Sequence, residues 1–206
     1  MIFAESYSVK IVQKTSTRKE QSMKTRLKIL DVALDLFKEK GIDSVKVTDI
    51  CQAAGVSVGA FYHHFPSKES IIERCYQSIE AYIADLMQDV TYDNYTELLL
   101  NFLRTANQVM EEMDWNFIAN VYKYLLTSKN KYTLSTTRHP YVFMEEILTN
   151  GVAAGEFRKD LDVKQTTASL MRLVRGLVFD WCISEGSYSL TDEVAKTVGI
   201  ILKEYR

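Results

Sequence analysis

The chain has 206 residues, 47% of them hydrophobic and 25% charged, with a formal net charge of −2. That is material for one compact domain, or two small ones sharing a helix, with ample apolar side chain for a core. It excludes a membrane-spanning chain, since no run of about 18 apolar residues occurs. It also excludes a disulfide frame or thiolate metal centre, since Cys51, Cys75 and Cys182 are far apart and never in a Cys-x-x-Cys pair.

Two prolines and eight glycines leave few breakers, so an all-α fold is expected. Residues 1–22 are polar and basic without a sustained period, which suggests a basic arm, disordered or irregular. The opening Met-Ile-Phe-Ala-Glu-Ser has neither the basic start nor the long apolar core of a signal peptide, so a cytoplasmic location is expected. From about 23 to 40, Leu30, Ala33, Leu34 and Phe37 fall at i, i+3, i+4 and i+7, an amphipathic helix ended by Gly41.

The stretch from Val47 to Lys68 is the most informative. Thr48 is suited to cap a short helix with Ile50, Ala53 and Ala54 on its apolar face. Gly55 stands where a left-handed residue ends a helix. Ser57 caps the next helix, in which Phe61 turns inward while Val58, Gly59, Ala60, Tyr62 and His63 stay outside. Pro66 stops it and Ser67 caps a third. Two short helices around a glycine turn make a helix-turn-helix, the device that lays a helix in the DNA major groove. Gly59 and Ala60 are small enough for backbone to approach base edges, and Val58 or Ala60 can touch a thymine methyl. Tyr62, His63 and His64 offer donors to phosphate. Lys68, in the first turn of the following helix, is mildly disfavoured by the helix dipole unless an anion sits there; alone it reads as a solvated lysine.

The segment from Thr48 to Lys68, Thr-Asp-Ile-Cys-Gln-Ala-Ala-Gly-Val-Ser-Val-Gly-Ala-Phe-Tyr-His-His-Phe-Pro-Ser-Lys, resembles the signature of the tetracycline-repressor (TetR) family of bacterial transcription regulators. Residues 25–41 also resemble that family's first helix. The likeness covers roughly residues 23–75. Cys51 stands where the family usually has alanine and is read as packing. The resemblance implies a three-helix DNA-binding domain over 23–70, then a helical ligand-binding and dimerisation domain over 71–206. The DNA-facing set is then Arg26, Thr48, Ser57, Val58, Gly59, Ala60, Tyr62, His63, His64 and Lys68. Charge agrees weakly: residues 1–70 carry eleven Lys and Arg against eight Asp and Glu, and the remainder has five more acids than bases.

Residues 68–90 form a long helix with Ile71, Ile72, Cys75, Ile79, Tyr82, Ile83 and Leu86 inward. Its tilt could change the spacing of two reading heads. Further helices follow near 98–113, 114–127 and 140–154, with a polar loop over 128–137. In the helix near 163–184, Val163, Thr167, Leu170, Val174, Leu177 and Trp181 alternate at spacings of 4 and 3. Leu190, Val194, Val198, Ile201 and Tyr205 do likewise in the last. Both stripes suit an internal core or a partner helix equally. The resemblance implies a homodimer through these two helices, with Leu170, Val174, Leu177, Val194, Val198 and Ile201 at the interface.

Aromatic and methionine side chains are concentrated over 98–181. They read as core or as the wall of a small-molecule site. The candidate wall is Phe102, Trp115, Tyr122, Tyr141, Phe143 and Trp181, with Arg175 as polar partner and Trp115 foremost. Pairing of Arg175 with an acid at the surface or an interface is the safer of the two readings. No catalytic constellation, phosphate loop or metal spacing is present, so no enzyme, cofactor or metal site is expected. The expected protein is a repressor released from a double-stranded operator of inverted repeats by a small hydrophobic or aromatic effector, with an activator as one alternative. A helical adaptor without DNA binding is the other.

Overall fold

In a computed structural model, residues 17–127 and 131–206 are described, with side chains from residue 21. Residues 1–16, where most of the basic arm is expected, and 128–130 of the polar loop lie outside the described residues. Nine α-helices and two single 3-10 turns make up the described chain, with no strand among them. They run α1 (Thr17–Lys40), α2 (Val47–Ala54), α3 (Val58–His64), α4 (Glu69–Met87), α5 (Tyr95–Glu112), α6 (Trp115–Thr127), α7 (His139–Ala153), α8 (Val163–Ile183) and α9 (Leu190–Leu202). The 3-10 turns are Tyr132–Leu134 and Lys203–Tyr205. No described helix is long and apolar enough to cross a membrane.

The first helix begins at Thr17, six residues before the expected boundary at 23. Lys19, Glu20 and Gln21 are strong helix formers, but being polar on every side they leave no periodic trace in the sequence. The chain divides into two compact units, Met1–Cys75 and Tyr76–Arg206, and the boundary falls inside α4.

The N-terminal unit closes around Ile29, Ala33, Phe37, Ile50, Phe61 and Phe65, all essentially without exposure. Ile29, not Leu30, takes the innermost place on α1, and Cys51 takes the one expected of Ala53 on α2. Which residues are innermost is set by the neighbouring helices rather than by the average apolar stripe. Lys46, not Thr48, precedes the first helical residue of α2, and its N–H donates to Asp49 Oδ2 at 2.9 Å. Gly55 ends α2 at φ 64°, where an added Cβ would strain the backbone. Lys68 reaches back to the loop after α1, donating from Nζ to the carbonyls of Ile42 (2.9 Å), Val45 (2.9 Å) and Asp43 (3.3 Å).

In the C-terminal unit, α5 lies along α9, and α8 packs on α6, α7 and α9. The centre holds Leu99, Phe102, Met144, Ile147, Leu148, Leu170 and Val178. Carboxylates tie the helix ends. Glu156 accepts the N–H groups of Tyr95 (2.7 Å) and Thr96 (2.9 Å) and the Thr96 hydroxyl, satisfying free donors at the start of α5. Glu111, at its other end, accepts from Thr191 N–H (3.1 Å) and hydroxyl (2.8 Å) at the start of α9. Gly151 gives Phe157 its seat, since a Cβ there would lie 2.4 Å from the Phe157 ring.

Candidate nucleic-acid interface and effector site

The seven-residue α3 is held by one buried anchor and one cap. Phe61 is fully buried, and Ser57 Oγ accepts the Ala60 N–H at 3.1 Å. Everything else on the helix faces outward or lies half-covered. Val58 is 43% and Tyr62 52% exposed, so two large apolar groups stand in water with no packing reason to do so. Gly59 is open, with only Ser57 Oγ, at 3.9 Å, near the place of a Cβ. His63 is exposed and stands edge-on to His64, ring centroids 5.1 Å apart.

Positive groups gather beside this helix. The Arg26 guanidinium lies 6.0 Å from the centroid of the Phe65 ring. Burial and then nearby Arg74 lower its pKa. Burial, then His63 and Arg26, hold His64 below the ordinary imidazole value. Crowded positive charge of this kind is relieved by an anion such as a phosphate. Of the expected DNA-facing residues, Arg26 and all those on α3 are thus collected at one helix, and exposed Thr48 lies on α2. Lys68 differs. Its three protons are directed at carbonyls of its own unit, which gives it the task of pinning the loop after α1 rather than a free ammonium for phosphate.

The expected effector wall separates into three places. Phe102 on α5 meets Phe143 on α7 edge-on at 5.1 Å, and Phe143 stacks on His139 at 5.5 Å. On another face of α7, the buried Tyr141 hydroxyl accepts from Arg175 Nη1 at 2.8 Å. Arg175 on α8 is also an electrostatic neighbour of the Tyr122 phenol on α6, whose pKa burial pushes well up. The two tryptophans stand apart at the α8–α9 turn. Trp115 covers Gly186, where a Cβ would come within 2.9 Å of the indole, and Trp181 Nε1 donates to the Tyr188 carbonyl at 2.9 Å. Both indoles are occupied with closing that turn, which corrects the placing of Trp115 foremost on the wall.

A clasp that the sequence did not disclose lies in the same unit. Arg138 pairs with Glu80 of α4, its Nε 2.6 Å from Oε1, and both side chains are 9% exposed. The guanidinium sits 5.2 Å from the ring centroids of both Tyr76 and Tyr132. These four residues are scattered over 62 positions and follow no period, so only folding assembles them. Among the described residues, three buried polar atoms, Asn107 Oδ1, His139 Nδ1 and Thr167 Oγ1, have no protein partner.

Half of the expected dimer stripe is interior. Leu170, Val194 and Val198 are no more than 1% exposed within one chain, while Val174, Leu177 and Ile201 are half-covered. The outward stripe of α8 is instead Arg172, Gly176, Phe179 (48% exposed) and Ile183 (66%), again at spacings of 4, 3 and 4, joined by Ile200 (58%) on α9. The heptad-like period is genuine, but α5, α6 and α7 occupy the face first assigned to a partner. Burial raises the thiol pKa of Cys75 to about 12 and of Cys182 to about 11, so both stay protonated and inert.

Comparison with known proteins places these features in company. Residues 29–75 match the family model described as bacterial regulatory proteins, tetR family, and residues 131–204 match that of the YsiA-like protein C-terminal region. The HTH-type transcriptional regulator AcrR of Shigella flexneri is 25% identical, the match covering 91% of this chain and 92% of the relative. The HTH-type transcriptional repressor KstR2 of Rhodococcus jostii is 26% identical over 83% and 85%. Among solved structures, the fatty acid degradation regulator FadR of Bacillus halodurans superposes with a TM-score of 0.69 at 22% identity, over 92% of this chain and 96% of that one. FadR of Thermus thermophilus, in complex with lauroyl-CoA, superposes at 0.65 with 20% identity, over 86% and 93%.

Proposed function

We propose, from the premise that this chain belongs to the tetR family of bacterial regulatory proteins, that α3 enters the major groove of an operator and that an effector held in the helical unit releases it. The protein is a ligand-responsive DNA-binding repressor rather than an enzyme. The observation that carries the reading is the outward face of α3. Val58, Gly59, Tyr62 and His63 stand exposed around the single buried anchor Phe61, with Arg26 and His64 beside them. In this reading Val58, Gly59, Ala60 and His63 meet base edges; Thr48, Ser57, Tyr62, His64 and Arg26 meet phosphates. Residues 23–70 read DNA, residues 71–206 sense and dimerise, and residues 1–22 are a basic arm. The protein works in the cytoplasm.

Two heads are needed for an inverted repeat, and the exposed stripe of Gly176, Phe179, Ile183 and Ile200 is the surface that supports a homodimer. The effector is a small molecule of hydrophobic or aromatic body, held beside Tyr122, Tyr141 and Arg175. Molecules with a fatty acyl tail are the first class to test, given the lauroyl-CoA complex of the Thermus relative. Footprinting across the protein's own promoter region tests the DNA half. Protection of a two-fold symmetric site is expected, weakening steeply between roughly 50 and 200 mM salt as counterions are released. No protection at the low-salt end would overturn it.

A further inference from the structure

Arg175 is a cation partly withdrawn from water without a counter-charge. Arg138 has Glu80, Arg158 has Asp160 and Lys196 has Glu193. Half-buried Arg175 has only the neutral Tyr141 hydroxyl, and no carboxylate lies within ion-pair distance among the described residues. One hydroxyl satisfies one of five guanidinium protons, and the lost hydration of the charge is left without compensation. Tyr122 stands close enough to feel the Arg175 charge, and its hydroxyl has no hydrogen-bond partner among the described residues. The enclosure that raises its pKa keeps that phenol a donor at any physiological pH. A fixed cation between two phenols, one buried and one without a protein partner, is an arrangement suited to an anion.

We propose that Arg175, with the hydroxyls of Tyr122 and Tyr141, is the docking point for the anionic head of the effector, and that this head is a single carboxylate on an apolar tail. The inference rests on the ligand-responsive reading above and names the chemistry of that site. Charge decides the class. Arg138 is neutralised by Glu80, so the local excess is one positive charge, which a monoanion cancels and the several phosphates of a coenzyme thioester exceed. Geometry agrees, because a carboxylate presents two acceptor oxygens to a planar guanidinium edge with room for a phenol donor beside it.

The test uses the full chain and three probes, dodecanoate, dodecanol and dodecanoyl-CoA, titrated calorimetrically against the protein and its Arg175→Gln, Arg175→Lys and Tyr122→Phe variants. Dodecanoate should bind more tightly than dodecanol by roughly tenfold or more, the worth of a charge-assisted hydrogen bond. Arg175→Gln should erase that preference without changing the dodecanol affinity, and Arg175→Lys should keep part of it. Should Arg175→Gln fail to fold by circular dichroism, Tyr122→Phe carries the test with a few-fold loss confined to the acid. Equal binding of acid and alcohol overturns the subsite, as does binding of the thioester alone, or of none of the three. DNA release separates the two readings. If acid and alcohol release DNA equally, ligand response stands and the carboxylate subsite falls. If the acid binds with its preference but leaves the DNA bound, the subsite stands and release by this ligand falls.

Discussion

The reading head and the helical unit use their polar side chains in opposite directions. In the head they cap helices or face outward, as with Ser57 on Ala60 N–H, Asp49 on Lys46 N–H, and Tyr62 and His63 in solvent. In the helical unit Glu156 and Glu111 also cap helices, but a second set of polar side chains turns inward. Arg138 and Glu80 are paired between tyrosine rings, Arg175 lacks an anion, and Asn107, His139 and Thr167 keep buried atoms without partners. A surface that meets a macromolecule needs its donors outside on a rigid scaffold, whereas a small-molecule site needs them inside a mostly apolar wall. The contrast is therefore one of function, and it shows where each partner belongs.

The strongest way to break it is to place a charge on each of two faces of the terminal helices. Val198→Glu puts a carboxylate at a fully buried position and should unfold the helical unit, at a cost of several kcal/mol. Phe179→Glu, at a half-exposed position, should leave the helical content intact and yield monomers that no longer protect an operator. Sedimentation and circular dichroism read both. Folded dimers from Phe179→Glu would move the interface elsewhere.

Within the head, stability and affinity should separate. Lys68→Met removes a charged donor from three carbonyls and should lower stability by about 1.5–3 kcal/mol, seen as a fall in the urea midpoint. Gly59→Ala should do the reverse. A methyl there meets only Ser57 Oγ, at 3.9 Å, so the fold should gain up to about 1 kcal/mol from helix propensity. DNA affinity should nevertheless fall, because the methyl stands between backbone and base edges. If Lys68→Met leaves the midpoint unchanged and weakens DNA binding alone, the lysine is a phosphate contact after all.

The smallest effect expected is one of pH. The folded-state pKa of His64 lies below its ordinary value, so the unfolded chain takes up this proton first and the fold loses a little stability as pH falls through about 6.5. A phosphate favours the imidazolium, so DNA affinity should rise a few-fold between roughly pH 7.5 and 6. His64→Gln should flatten that rise. Fluorescence anisotropy on a labelled duplex measures both. An unchanged slope in His64→Gln would remove His64 from the interface.

By itself the sequence determined the helices and the reading head, because both depend on near-neighbour rules. Gly55 can end α2 because only its own backbone must reach φ 64°, and Ser57 can cap α3 because its target lies three residues on. A period of 4 and 3 likewise revealed that α8 and α9 carry apolar stripes. Which stripe meets the core and which meets solvent was decided by the tertiary structure. Leu170 and Gly176 lie on different faces of one helix, and only the positions of α5, α6 and α7 tell them apart. The same holds for the long-range polar pairs. Arg138 finds Glu80 across 58 positions, Arg175 finds Tyr141 across 34, and Trp115 finds Gly186 across a helix turn that α6 alone does not foretell. Local stereochemistry is written in adjacent residues, whereas an internal site is the meeting of side chains whose separation along the chain carries no period.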